Sequence, residues 1–136
     1  MTRKEMIEEL VEYFISENIV VHGARGIEGY KSPSEIVNNG FGDSLPRVPD
    51  VVGVDREKQR VVFGIVKCDR SSLDSEDALT EYSVFLDHKS EKGEQASVLY
   101  VLLPSDLQQE FAHIITHYIH REYWHRLIPV VSRFTL

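Results

Sequence analysis

The chain carries a single cysteine, Cys68, so it can form no internal disulfide and no CxxC metal knuckle. Nothing in it calls for an oxidising compartment, and a reducing cytoplasm is the expected location. No apolar run nears the length of a membrane span. The first residues form an acidic amphipathic segment rather than a signal peptide, so no membrane partner is expected. Basic residues are scarce, 15 Lys and Arg against 22 Asp and Glu, for a net charge of −7. Nucleic-acid binders usually show the opposite balance, because neutralising phosphates supplies most non-specific affinity. The deficit argues against a basic surface overall and leaves room for a local patch or an acid-rich site that holds a cation. There is no Gly-x-Ser-x-Gly elbow. Gly23-Ala24-Arg25-Gly26 lacks the glycine-lysine pair of a phosphate loop. No repeat or low-complexity tract interrupts the chain.

At 136 residues the chain has the length of one domain, residues 1–136, with a sizeable core. Met6, Ile7, Leu10, Val11, Phe14 and Ile15 recur at helical spacing and predict a helix over 3–17, with Thr2 and Glu5 as a capping box. Ile19-Val20-Val21-His22 reads as a first strand. Residues 23–46 hold five glycines and two prolines and read as a long loop, with Ser32-Pro33-Ser34-Glu35 opening a short helix through Val37. Arg25, Lys31 and Arg47 are its bases. A helix over 74–88, capped by Ser72 or Ser75, presents Ala78, Leu79, Tyr82, Phe85 and Leu86 on one stripe, flanked by Glu81. The charged stretch from Lys89 to Gln95 reads as a solvated loop. Residues 97–103 are nearly all apolar, as in a strand buried on both faces. Ser105 should cap a further helix to about Arg121, and residues 128–134 a last strand. Strands alternating with helices late in the chain imply crossovers and a mixed sheet. The predicted fold is α/β, a three-layer sandwich with a central mixed sheet flanked by helices.

The most informative stretch runs from Arg47 to Asp69. Residues 51–54 and 61–66 read as two strands, and Arg56-Glu57-Lys58-Gln59 as the polar turn between them. Asp50 opens the first strand and Lys67 closes the second. An antiparallel hairpin brings those ends back together, so a carboxylate and an ammonium are expected side by side at one end of the sheet. Both are costly beside apolar strands unless they are paired or used.

Pro49-Asp50 opening one strand, Gly64-Ile65-Val66-Lys67 closing the next, the following helix with Tyr82, and the element order across nearly the whole chain resemble the PD-(D/E)xK nuclease-like superfamily. That group includes restriction endonucleases and Holliday junction resolvases. The resemblance implies a restriction-endonuclease-like fold and metal-dependent hydrolysis of DNA phosphodiesters. It implies Asp50 as a ligand of Mg2+ or Mn2+, Lys67 as the group that orients water or stabilises charge, and a first-helix glutamate, Glu8 before Glu12, in support. Hard oxygen ligands suit magnesium, and a bound cation lowers the pKa of an attacking water.

The pattern departs at one position. The second acid of the motif belongs at 65, where this chain has Ile65. In one reading the acid has moved to the next helix, as in some restriction enzymes. Glu81 then joins Asp50 on the metal, with Asp69 as a second substitute. In another the site is inactive, Asp50 and Lys67 form a structural ion pair, and the domain binds nucleic acid or a protein partner, a homodimer through an exposed sheet edge or the histidine-bearing helix being one form of the latter. In a third the resemblance is architectural only. Packing of Ile65 among apolar side chains, the expected state of a β-branched strand residue, would favour the inactive site.

Weaker constellations remain. His113, His117 and His120 fall at i, i+4 and i+7 and could hold zinc or nickel on one helix face, opposite Phe111, Ile114, Ile115 and Tyr118. A solvated polar face is the commoner outcome of such spacing. His125 with Tyr123 and Trp124 could stack on bases, although the two aromatics more often pack at a helix end. Lys67 beside Cys68 could lower the thiol pKa.

Overall fold

A computed structural model of the chain describes residues 2–36, 47–88 and 96–133. Helix α1 (Arg3–Ser16) begins with the expected capping box. Glu5 N–H donates to Thr2 Oγ1, and the Glu5 carboxylate accepts from Thr2 N–H. Two residues, Glu17 and Asn18, join it to β1 (Ile19–Ala24), and Asn18 has φ of 61°. So short a link sends α1 back along β1, and the helix N-terminus returns to the end of the sheet where β1 finishes.

β2 (Val51–Asp55) pairs antiparallel with β1 and with β3 (Arg60–Val66). Helix α2 (Glu76–Asp87) crosses to β4 (Val98–Pro104), parallel to β3, and α3 (Gln108–Tyr118) crosses to β5 (Leu127–Ser132), parallel to β4. The sheet is mixed and runs β1-β2-β3-β4-β5. Both crossovers step the same way across it, so α2 and α3 cover one face and α1 alone covers the other. This is a three-layer α/β arrangement.

The two faces follow from strand alternation. On β3, Val62 and Val66 pack with Met6, Ile7, Leu10 and Phe14 of α1, while Phe63 and Ile65 pack with Tyr82, Phe85 and Phe111 on the α2–α3 side. Gly64 lets α1 approach: a Cβ there would lie 2.6 Å from Leu10 Cδ2 and 2.9 Å from Phe14 Cζ. On β1 the register slips between Val21 and Gly23, and the extra residue, His22, changes the parity, so Ala24 joins Ile19 in the α1-side core. Ser75 caps α2 through the Ala78 N–H, and Arg126 Nη1 donates to the carbonyls of Leu86 and Ser97 at its other end.

Several boundaries differ from those read in the sequence. α3 ends at Tyr118, and His120 lies beyond it as the cap of a 3-10 turn over Arg121–Arg126. Tyr118 is exposed rather than packed on the sheet. The turn Ser105–Leu107 precedes α3, whose N-cap, Leu107, makes no side-chain cap. Residues 32–35 are not helical, and Ile36 forms an isolated antiparallel bridge with Arg47. Val37, Lys89 to Gln95 and Phe134 lie outside the described residues. Among the described residues no helix is long and apolar enough to cross a membrane.

Candidate functional site

The parallel strands β3, β4 and β5 all finish at one edge, where β1 also ends, β2 begins and α1 starts. Open α/β sheets bind ligands at this edge. Asp50 stands there, in a bend just before β2, and is only 1% exposed. Its N–H donates to the Gly64 carbonyl at 2.9 Å, and its Oδ2 accepts from the Val66 N–H at 2.9 Å.

The cation at Asp50 is an arginine. Arg3 Nη2 lies 2.9 Å from both carboxylate oxygens, capping them end-on with one nitrogen. A second guanidinium flanks the pair, with Arg25 Nη1 at 3.9 Å from Oδ1 and Arg25 Nη2 at 3.5 Å from the Val48 carbonyl. The backbone fixes Arg25 as well, since its N–H donates to the Asp50 carbonyl at 2.8 Å. Both arginine side chains are about half-exposed, 51% and 45%, while the carboxylate between them is sealed.

The sequence predicts Asp50 beside Lys67, and the structure separates them. Lys67 shares the Ile65 side of β3, and its Nζ bonds Glu81 Oε1 of α2 at 3.1 Å, 5.5 Å from the centre of the Tyr82 ring. Asp50 lies outside the β2 ladder, so strand alternation does not hold its side chain to that face, and it turns to α1 instead. Tyr82 is anchored by its hydroxyl to the Leu73 carbonyl at 2.8 Å, and burial pushes its pKa far up. Nearby, Arg47 pairs with Asp77 at 2.6 Å.

Glu8 is exposed on α1, and the α1 side chain that reaches Asp50 is Arg3. Five residues separate Arg3 from Glu8, which is about 140° around a helix, so the two cannot face the same partner. Glu12 pairs with Arg133 at 3.5 Å. Asp69 is an exposed cap that accepts from Ser71 Oγ and the Ser72 N–H, and these bonds hold its pKa below the usual carboxylate range. Ile65 is 2% exposed and belongs to the core with Leu73, Tyr82 and Val101.

A divalent cation does not fit this arrangement. Asp50 already accepts from Arg3 and Val66, position 65 is packed isoleucine, and Glu81 is bonded to Lys67. Among the described residues no group of three His, Cys, Asp or Glu side chains is placed to hold a metal. The histidine stripe is likewise broken. The rings of His113 and His117 lie 3.9 Å apart, but His117 Nδ1 is 2.9 Å from the His113 carbonyl, and His120 has left the helix.

The remaining constellations are structural. Tyr123 bonds Asp87 through its hydroxyl at 2.6 Å, and Trp124 Nε1 donates to the Ile119 carbonyl. The Cys68 thiol is pushed up rather than down. Burial outweighs the opposing pull of Arg3, and its Sγ lies 3.5 Å from Met6 Sδ. A shallow pocket of about 280 Å³ between the Arg70–Asp74 stretch and α3 has a floor of Leu73 and Ile114, with the Arg70–Glu110 pair at its rim.

The residues around Asp50 that sequence reasoning missed are Arg3 and Arg25. Arg3 had a signal: with Ile7, Leu10 and Phe14 it makes a 4-3-4 spacing, the buried stripe of α1. A charge on that stripe is forced toward the sheet, where it must find a partner. Arg25 had none, because its position depends on the bulge at His22. A scan against protein-family models found no match, and neither a search of curated proteins nor one of solved structures found a significant match.

Proposed function

We propose that the chain is a PD-(D/E)xK nuclease-like domain that binds nucleic acid without cutting it. The element order α1-β1-β2-β3-α2-β4 and the placement of Asp50 at the start of β2 support the relationship. The observation that carries the inactive reading is the end-on guanidinium: Arg3 Nη2, equidistant from both Asp50 oxygens, occupies the position a chelated cation would need. Packed Ile65 removes the second ligand on the same strand. What survives is a cationic site at the carboxyl edge, charged by arginine rather than metal.

The moved-acid reading keeps one observation in its favour, since α2 brings Glu81 to within 3.1 Å of Lys67. The Glu81 carboxylate is there as the counter-ion of the lysine. The two readings separate in a cleavage assay on plasmid, single-stranded and branched DNA with Mg2+ or Mn2+. The inactive reading expects no cleavage above that of Asp50→Asn and Lys67→Ala. Metal-dependent cleavage lost in both variants would establish the moved-acid site.

A further inference from the structure

We propose that Arg3 and Arg25 form a phosphate clamp, anchored on the buried Asp50 carboxylate, whose ligand is a phosphate group carried on a nucleic-acid strand or free in solution. The inference rests on the nucleic-acid-binding reading of this site and assigns its contact atoms.

Three features carry it. First, Arg3 spends one nitrogen on Asp50. Nη2 makes both contacts, the side chain also reaches the Cys68 thiol, and it stays half-exposed, so part of the planar guanidinium still meets solvent. Arg25 is held more loosely, at 3.9 Å from Asp50 and 3.5 Å from the Val48 carbonyl, and is half-exposed too. Second, the charge does not cancel: two guanidiniums flank one carboxylate, and that carboxylate is 1% exposed. Of this trio the carboxylate is sealed and the two guanidiniums are half-exposed, on a chain whose net charge is −7. Third, the Arg3 half of the clamp is oriented before any ligand arrives, and the backbone that carries the Arg25 half is fixed. Asp50 fixes Arg3, and the Arg25 N–H is bonded to the Asp50 carbonyl at 2.8 Å. Pre-orientation reduces the entropy lost on binding, and the guanidinium fork matches two oxygens of a phosphate. The carboxyl edge of the parallel strands is also where the fold leaves room for a ligand.

Asp50 then acts as a positioning residue. Its role is to hold Arg3 in register with Arg25. A neutral isostere should therefore weaken phosphate binding even though it removes a negative charge, the reverse of the sign that simple electrostatics gives.

The test is fluorescence anisotropy of short labelled single-stranded and duplex oligonucleotides in EDTA over a salt series, with inorganic phosphate titrated by calorimetry in parallel. Arg25→Gln keeps the Arg3–Asp50 pair, so its fold is expected to survive. Arg3→Gln combined with Asp50→Asn removes the other half without stranding a buried charge. Each should weaken oligonucleotide binding about five- to tenfold and reduce the salt slope by about one. Arg56→Gln, in the β2–β3 turn, should change neither. Phosphate binding lost in Arg25→Gln, with no oligonucleotide binding, supports the clamp with free phosphate as ligand. Binding that survives both clamp variants, or that an acidic peptide displaces as readily as phosphate does, overturns it. Magnesium-dependent cleavage in the companion assay, with metal-free binding still weakened by the clamp variants, would sink the inactive reading alone. Clamp failure without cleavage would do the opposite.

Discussion

Two ion pairs stand at the carboxyl edge of the sheet, one on each face. Asp50 and Arg3 lie on the α1 side, Lys67 and Glu81 on the α2 side. In the first the acid is sealed and the base half-open, 1% against 51% exposed. In the second both partners are partly buried, 12% and 22%. The Asp50 oxygens accept from Arg3 and from the Val66 N–H, tying the starts of α1 and β2 to the end of β3. Lys67 and Glu81 join only β3 and α2. The difference teaches which of the two pairs the fold depends on. A buried carboxylate stripped of its cation is expensive, whereas a partly solvated pair is worth little.

The sharpest way to break the comparison is to place at position 65 the acid that the resemblance expects there. Ile65→Asp places a charge among Leu73, Tyr82 and Val101 and should cost more than about 4 kcal/mol in urea unfolding. A stable Ile65→Asp protein that gains metal binding would show that the position is open to solvent and cation. Next in size is Arg3→Ala. It strands Asp50 with only Arg25 and a backbone N–H, and about 3 kcal/mol of stability should be lost. Adding Asp50→Asn should recover most of it, because the stranded charge goes too. Failure of the second change to rescue the first would mean that Arg3 stabilises through its stem rather than its charge.

Lys67→Met should cost about 1 kcal/mol or less, since Glu81 keeps access to water. If Lys67→Met proves as damaging as Arg3→Ala, the ranking of the two pairs is wrong. The smallest effect is a pH dependence remote from both pairs. Burial beside Phe63 lowers the His88 pKa below its ordinary value of 6.5. The unfolded chain therefore takes up this proton at higher pH than the folded one. The His88 contribution to stability is complete above about pH 6.5 and declines as pH falls through the folded value. His88→Gln should flatten that part of a stability–pH profile.

Much of this fold was legible in the sequence. The α1 stripe, the hairpin, α2 with a serine cap and the buried run of β4 are strong periodic or capping signals, and the structure returns each within a few residues, choosing Ser75 over Ser72 as the cap. The end of α3 was not legible. Ile119 turns extended with no glycine or proline to mark it, and the histidine spacing continued on paper past the real helix. Ile65 was read as packed, and it is. The pairing of Asp50 was misread, because a hairpin brings strand ends together without fixing which way a residue outside the ladder points. Glu81 was singled out by its distance from Lys67 in sequence as a metal ligand beside Asp50, and α2 bonds it to Lys67 instead. Arg3 carried its information in a helical stripe that looks like an ordinary solvated first turn until the sheet beneath it is known.

On the proposed reading, Arg3 stands at Asp50 where a chelated cation would sit. Calorimetric titration of Mn2+ into the wild-type protein and into Asp50→Asn tests it most directly. The arrangement described here predicts no binding at millimolar metal in either protein. Saturable binding to the wild type that Asp50→Asn abolishes would contradict it, and would mean that Arg3 yields the carboxylate to a cation.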